Sequence, residues 1–232
     1  MPTGESKRDP NRYEHVRPGA MIHVDIKKVG RIPTGGGWRI HGRSTDAARA
    51  SRRVANKRVG YAYIHAAVDD HSRLAYAEVL NDEKKETCAA FWFRAVAFFR
   101  EHDIFIIERR LTDNGPAYRS KVFAQALAET KTKHKFTRPH TPRTNGKVER
   151  FNLTMKVEWL YVRTYMSEEE RTAALADFLN KYNHDRPHSG IGHKPPASRV
   201  PKTTYRVLPQ PEEPVTPPME GLGYEPTLFD DL

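Results

Sequence analysis

The order in which hydrophobic patterns follow one another is the feature that most constrains the fold of this 232-residue chain. Apolar and polar residues alternate over residues 21–29, as in a strand with one buried face. Alternation returns over 59–69 and 73–80, which predicts a hairpin turning at residues 70–72. Helical and strand patterns then alternate: a helix over 84–101, a strand over 104–111, a helix over 119–129, a strand over 132–137, and helices over 145–162 and 168–183. This order predicts an α/β fold, in which helices cover a mixed sheet.

Composition divides the chain into three predicted parts. Residues 1–20 form a polar N-terminal arm and residues 21–200 a core domain. Residues 201–232 hold seven prolines and six acids against two basic residues, which is typical of a disordered tail. Inside the core, residues 30–58 show no clear period and carry eight Lys or Arg against the single acid Asp46. We interpret this segment as a basic loop insertion.

The charge balance favours a polyanionic partner. The net charge is +10 and the pI about 9.7, and the acidic tail leaves +14 on residues 1–200. Nucleic acid is the favoured partner and an anionic membrane surface the less favoured one. No membrane span is predicted, because the most apolar stretch, 88–99, is short and interrupted by Arg94. One cysteine and an N-terminus without an apolar segment fit a cytoplasmic protein.

Three acids occupy positions where a sheet could gather metal ligands. Asp25 lies on the polar face of the first strand, and Asp113 ends an apolar strand before the turn at Asn114-Gly115. Glu149 lies early in the helix over 145–162. Paired divalent ions on carboxylates can activate an attacking oxygen and stabilise a leaving oxygen at a phosphodiester. Three other interpretations stay open at this point: a solvated strand Asp, an Asx-turn Asp and a solvated helix Glu.

The helix over 145–162 has two distinct stripes. The apolar one follows steps of 3, 4 and 4 and is predicted to face the core: Val148, Phe151, Met155 and Trp159. The polar one follows steps of 4, 3 and 4: Asn145, Glu149, Asn152 and Lys156. A helix N-terminus would help to keep Glu149 ionised, as a metal ligand must be.

Five motifs give the chain its resemblance to a known family: VDIKK (24–28), AVDDHSR (67–73), LTDNGPAY (111–118), RPHTPRTNGKVERFN (138–152) and YNHDRPHSGIGHKPP (182–196). Over about residues 12–200 the chain resembles the catalytic core of retroviral integrases and bacterial insertion-sequence transposases, the DDE group. The 35 residues between Asp113 and Glu149 are typical of this group. The resemblance implies a ribonuclease-H-like fold, with a mixed five-stranded sheet and helices on both faces.

The resemblance also implies an activity and its residues. Asp25, Asp113 and Glu149 match the three metal ligands, which would hold two Mg²⁺ or Mn²⁺ ions. The implied reaction is cleavage of a DNA 3′ end followed by strand transfer, as in transposition and DNA integration. Lys156 matches a position that grips the element's terminal DNA. Further candidate DNA-binding residues follow from the basic segments and the matched motifs: Lys27, Lys28, Arg52, Arg53, Arg143, Asn145, Lys147, Asn152 and Arg186.

Other residues of the motifs and the insertion receive weaker interpretations. We interpret Asp69 and Asp70 as turn and capping residues. Trp38 could stack on bases, and so could Tyr61 and Tyr63, for which packing is favoured. The glycines at 35–37 lack the Lys-Ser/Thr of a phosphate-binding P-loop.

The expected partners are DNA element ends, target DNA and further copies of the chain, with no membrane. Family members normally carry a helix-turn-helix region before the core, for which about 20 residues leave no room here. A separate DNA-binding subunit or domain is therefore expected, in a bacterial protein associated with the nucleoid when bound to DNA. Two alternatives stay open: a ribonuclease-H-like nuclease that only hydrolyses, and a truncated, non-catalytic transposase that binds DNA, assembles with full-length partners or inhibits them.

Overall fold

The computed structural model describes residues 14–51, 53–54, 57–137 and 145–210, with 53–54 and 57–58 described by their backbone alone. Within these residues, no helix combines the length and the apolar character needed to cross a membrane.

A mixed five-stranded sheet forms the centre of the structure. Its strands are β1 (Ile22–Gly30), β4 (Tyr61–Asp69), β5 (Ala75–Leu80), β6 (Arg109–Thr112) and β7 (Lys133–Phe136), and their order in space is β5-β4-β1-β6-β7. The central strand β1 runs antiparallel to β4 and parallel to β6, β5 is antiparallel to β4, and β7 is parallel to β6. The predicted mixed α/β sheet of five strands is thereby confirmed.

Helices cover both faces of the sheet, also as predicted. On one face, α3 (Lys85–Arg100) and α4 (Lys121–Glu129) pack on Ile22 and Val24 of β1. On the other face lie α5 (Gly146–Met155) and α6 (Glu168–Asn180), which continue as π-helical turns over Lys156–Leu160 and Lys181–Asp185. The apolar stripe of the α5 region is fully buried there: Val148, Phe151, Met155 and Trp159.

The strand predicted over 104–111 is wrong in its extent, because the sheet includes only Arg109–Thr112. The preceding apolar run is a loop in which Phe105 and Ile106 are exposed while Ile104 is buried. Its end is held by the backbone N–H of Glu108, which donates to the Gly19 carbonyl oxygen at 2.9 Å. An apolar run of four residues therefore contacts the N-terminal segment instead of lengthening the strand.

The segment between β1 and β4 contains regular structure. It holds the short helices α1 (Trp38–His41) and α2 (Asp46–Ser51) and a small hairpin of β2 (Arg53–Val54) with β3 (Lys57–Arg58). The chain ends its described part with two 3₁₀ turns, Ser189–Ile191 and Pro196–Arg199, and an extended segment up to residue 210. The proposed arm and tail lie outside the described residues over 1–13 and 211–232.

Side-chain amides protect the edge strand β5 from unwanted strand pairing. The Asn183 side chain accepts from the Ala75 N–H at 2.9 Å and donates to the Ala75 carbonyl at 2.8 Å. Gln210 makes the same pair of hydrogen bonds with Val79, at 2.9 and 2.7 Å. An open strand edge invites pairing with another chain, and these amides occupy it. They also fix α6 and the segment 201–210 against the sheet.

Replacing Asn183 by Ala should lower the free energy of unfolding by about 1–3 kcal/mol, because a buried N–H and a buried C=O would lose their partners. Urea denaturation with an unchanged m-value would measure the loss. Asn180→Ala is the matched control, since Asn180 makes the same two bonds with Val207 at a part-buried site. An equal loss in both variants, or none in Asn183→Ala, would contradict the edge-protection argument.

Candidate active site

The Asp25 side chain lies in the middle of β1, on the face covered by α5. Its neighbours Ile22 and Val24 point to the opposite face. The Asn152 side chain on α5 donates a hydrogen bond of 2.7 Å to the Asp25 Oδ2. This bond joins residues 127 positions apart in the sequence and fixes the strand carboxylate beneath the helix.

Asp113 reaches the same region through the parallel pairing of β1 with β6. His23 pairs with Leu111, so the same register continued by two residues brings Asp113 beside Asp25. Asp113 is exposed, directly after the last residue of β6, and its Oδ1 accepts from the Gly115 N–H at 3.0 Å. A Cβ at Gly115 would lie 3.0 Å from that oxygen, so glycine leaves room for the carboxylate. The Asx-turn geometry and a place beside Asp25 thus occur together.

Glu149 lies in the first turn of α5, three residues before Asn152 and therefore on the same helix face. Its side chain is exposed. Glu149 therefore lies at the positive end of the helix dipole.

The start of α5 is attached to β1 by a buried polar chain. The Asn145 Oδ1 lies 3.1 Å from the His23 Nδ1, and its Nδ2 donates to the Val24 carbonyl at 3.4 Å. The other ring nitrogen of His23 lies 3.0 Å from the Asp70 Oδ1. Burial alone would raise the pKa of Asp70, but hydrogen bonds from His23 and the His15 N–H, with the nearby charge of Lys147, lower it to about 2. Asp70 is therefore an ionised partner in this chain of contacts.

The three acids influence one another electrostatically. Burial raises the pKa of Asp25 to about 6; the Ile26 N–H opposes this, whereas the charges of Asp113 and Glu149 raise the pKa further. Within the described residues, however, no three His, Cys, Asp or Glu side chains are gathered closely enough to enclose a metal ion. Carboxylates near one another repel, so this looser arrangement is expected for the acids alone.

The donor set fits a hard divalent cation. All three side chains offer carboxylate oxygens, which Mg²⁺ and Mn²⁺ prefer. A cation would also relieve the repulsion that raises the pKa of Asp25. In addition, the buried Asn152 Oδ1 has no hydrogen-bond partner among the described residues, so an acceptor beside Asp25 is unused. The ligand roles of the three acids remain predictions.

The candidate DNA-binding residues fall into two groups. Lys28 and Lys156 are exposed, and Lys27 and Lys147 are partly exposed, which leaves them near the surface. Three others are engaged within the protein: Asn145 and Asn152 are buried in the contacts described above, and Arg186 forms a two-pronged ion pair with Glu158 at 2.9 Å. Arg52, Arg143 and the side chain of Arg53 lie outside the described residues. None of these DNA contacts is tested by the fold, and all stay predictions.

Two features of the site region escaped the sequence interpretation. One is the His23–Asp70 pair, whose signal was a histidine on the same strand face as Asp25. The other is Arg110, a fully buried residue on β6 whose guanidinium lies 3.8 Å from the Phe123 ring centroid and 4.6 Å from that of Tyr118. Burial lowers the pKa of Arg110 to about 9. An arginine inside an otherwise apolar strand was the available signal for such a ring-lined site.

Two models of the family described as "Integrase core domain" match this chain, one over residues 15–142 and the other over 130–196. The first alone spans more than half of the 232 residues. The chain belongs to the integrase core domain family. The recognition made from the five motifs is thereby confirmed.

Relatives of this integrase core support the assignment over parts of their length. The "Insertion element IS476 uncharacterized 39.2 kDa protein" of Xanthomonas euvesicatoria is 34% identical over 86 residues, which cover 37% of this chain and 25% of that protein. This chain spans between 25% and 40% of the length of the curated relatives that it matches.

Solved structures share the fold of this integrase core at low identity. A simian T-cell lymphotropic virus intasome in complex with the PP2A regulatory subunit B56 gamma matches with a TM-score of 0.60 and 20% identity, over 88% of this chain and 61% of that chain. The HTLV-2 integrase catalytic core domain in complex with magnesium, in its trimeric form, matches with a TM-score of 0.54 and 15% identity, over 79% of this chain and 97% of that chain. These matches confirm the ribonuclease-H-like fold.

Replacing Asp25 by Asn should stabilise the metal-free integrase core at pH 8. A carboxyl whose pKa rises from 3.8 to about 6 on folding stabilises the fold fully below pH 4 and loses that contribution as the pH rises through 6. Asn cannot ionise, so the variant should gain up to about 3 kcal/mol at pH 8 and nothing at pH 4. Urea unfolding in EDTA across this range measures the difference. The control Asp46→Asn, at a 98% exposed side chain, should show no such trend. A gain that does not depend on pH would contradict the cause given for the shift.

Proposed function

We propose that this chain is the catalytic core of a DDE transposase, which performs metal-dependent cleavage of DNA 3′ ends and strand transfer. The observation that carries the proposal is the geometry around the half-buried Asp25. The pairing of β1 with β6 brings Asp113 beside it, and Asn152, on the α5 face that also carries Glu149, donates a hydrogen bond to it. Membership of the integrase core domain family and the position of these acids in its motifs support the same reaction.

Asp25, Asp113 and Glu149 would hold two divalent ions. The magnesium in the HTLV-2 integrase core complex supports this choice of cation. Bound ions would supply activation of the attacking oxygen and neutralisation of the charge that develops on the phosphate. Asn152 would keep the Asp25 carboxylate oriented through its 2.7 Å bond.

The proposed reaction has two balanced steps and needs no protein nucleophile. In the first, a water oxygen bonds to the phosphorus of a phosphodiester, the bond from phosphorus to the 3′ oxygen breaks, and the strand leaves as a 3′-OH. In the second, that 3′-OH attacks a phosphodiester of target DNA and releases a new 3′-OH there. One proton passes to solvent in the first step at neutral pH, and none accumulates in the second.

Oligomerisation on paired DNA ends and a separate DNA-recognition part complete the proposal. The intasome among the structural relatives supports assembly of several integrase copies. Because the chain spans a minority of the length of its curated relatives, recognition of the element ends is assigned to a part outside this core. Lys27, which shares a strand face with Asp25, and Lys147 and Lys156 on the helix of Glu149 and its continuation are the proposed phosphate contacts on the side of the acids.

Nicking of supercoiled plasmid DNA in Mn²⁺ should fall by more than roughly 100-fold in Asp113→Asn and in Glu149→Gln. Changing even a residue that only orients a metal ligand typically costs 10–100-fold, so loss of a ligand should cost more. EDTA should abolish nicking by the unchanged protein. Asp46→Asn removes an exposed acid of the insertion and should leave the rate unchanged.

The second half of the experiment uses oligonucleotides that already end in a 3′-OH. Joining of these ends to plasmid DNA supports the transposase, whereas nicking without joining would favour a nuclease that only hydrolyses. DNA binding without nicking in either Mg²⁺ or Mn²⁺ would favour the non-catalytic alternative and overturn the proposal.

A further inference from the structure

A groove of about 320 Å³ lies between the segment after β1 and the turn that follows α5. We name it the insertion groove. Its walls combine positive charge with flat rings: Arg31, Trp38, Arg39, Tyr161, Arg163 and Arg171 are among its lining residues. It lies apart from the three acids of the candidate active site, none of which lines it.

The groove is built by specific contacts between its two walls. The Gly36 N–H donates to the Met166 carbonyl at 2.7 Å, from a backbone with φ of +82° that favours glycine. Below it, Arg171 donates to the Gly30 carbonyl at 3.2 Å and to Glu168 at 2.7 Å. The glycine triplet does not form a phosphate-binding loop. Its middle residue, Gly36, joins the insertion to the turn after α5.

Within the described residues, two of the four arginines that line the groove are in ion pairs and two are not. The Arg163 guanidinium lies 3.1 Å from a carboxylate oxygen of Glu170. Arg31, Arg39 and the adjacent Arg43 have no carboxylate within 4.0 Å in the part of the chain that the structure describes. Arg171 does pair with Glu168, yet its Nε is buried and without a hydrogen-bond partner among the described residues. Charge that is left uncompensated in a groove favours an anionic occupant.

Guanidinium groups and aromatic rings alternate along one wall. The Arg43 guanidinium lies 4.5 Å from the Trp38 ring centroid, and that of Arg39 lies 5.0 Å from Trp38 and 4.6 Å from Tyr161. Trp38 is 38% exposed and Tyr161 is 42% exposed. Aromatic faces and arginine planes are the surfaces on which unpaired bases stack.

We propose that the insertion groove binds unpaired nucleotides of a DNA strand, with bases on the Trp38–Arg39–Tyr161 wall and phosphates on Arg31 and the adjacent Arg43. This proposal rests on the proposed function, since it assumes that DNA is the substrate of the candidate active site. A duplex would contact the arginines through its phosphates, but its bases would stay stacked on each other instead of on the aromatic wall. A second copy of the chain would bring its own uncompensated arginines against these, which disfavours it.

Two independent paths along the structure give the distance from groove to acids. From Glu149 to Leu160, eleven residues of helix span roughly 16 Å. From Asp25 to Gly30, five residues of strand span roughly 17 Å. Because a strand of duplex DNA rises about 3.4 Å per nucleotide, roughly five base-paired nucleotides would cover the distance from groove to acids. Strand separation near the DNA end or at the target is therefore what the groove recognises.

The fluorescence of Trp38 provides a direct readout. The other two tryptophans, Trp92 and Trp159, are at most 1% exposed, so quenching by stacked bases reports on Trp38. The full chain carrying Asp113→Asn, in EDTA, is titrated with a single-stranded oligonucleotide and with the duplex of the same sequence. We expect saturable quenching by the single strand and little by the duplex.

Variants then test the wall of the groove by anisotropy of a labelled oligonucleotide. Trp38→Leu and Arg39→Gln should each weaken single-strand binding roughly tenfold. Gly36→Ala should also weaken it without removing charge, because the new Cβ would lie 2.2 Å from the Ile40 side chain and displace α1. Lys85→Gln, an exposed cation at the start of α3, is the control for simple loss of charge and should have no effect.

Equal quenching by duplex, or unchanged affinity in Trp38→Leu and Arg39→Gln, would overturn the proposal. Quenching that depends on protein concentration without DNA would assign the groove to a second copy instead. The binding measurements use the Asp113→Asn variant without metal, so they do not depend on catalysis. If they fail, nicking by the unchanged protein still tests the proposed function separately.

Discussion

The constraint on which the rest of the site depends is the partial burial of one carboxyl group in the middle of a sheet. Asp25 lies on the central strand beneath α5, where desolvation and two neighbouring acids both oppose its ionisation. The Ile26 N–H and Asn152 offset part of that cost. A carboxylate in such a position is unfavourable for folding, and a bound cation would remove the penalty. The fold thus retains an unfavourable electrostatic interaction at the proposed metal site.

The hairpin between β4 and β5 joins the elements that carry the acids. Asp69 accepts from the Gly19 N–H at 2.8 Å, and Asp70 from the His15 N–H at 2.6 Å, so the turn holds the segment that leads into β1. Through His23, Asp70 is also connected to Asn145 at the start of α5. The strand that carries Asp25 and the helix that carries Glu149 are therefore both connected to one buried turn. Interpreting both aspartates as turn residues agrees with these contacts but understates how many elements they join.

The spacing of apolar residues within one helix or strand could be predicted from the sequence, whereas the contacts between different helices and strands could not. The apolar stripe from Val148 to Trp159 is buried as its spacing predicts, because helical spacing alone decides which side chains share a face. The polar stripe divides instead, with Asn145 and Asn152 buried and Glu149 exposed. That division depends on β1, more than 120 positions away in the sequence. The three acids were recognised from motifs, and their mutual influence only from the sheet register.

The net charge of +14 on residues 1–200 overstates what a polyanion meets, because the structure treats its arginines in three ways. Arg94 forms an ion pair with Glu78, and Arg171 forms one with Glu168. Arg110 is buried among rings and inaccessible. Arg39 and Arg43 of the insertion combine exposure with charge that has no carboxylate within 4.0 Å among the described residues, and so do Arg119 and Arg150 outside it. The insertion thus contributes exposed, uncompensated arginines next to aromatic rings, and a segment without a clear sequence period has the properties of a binding surface.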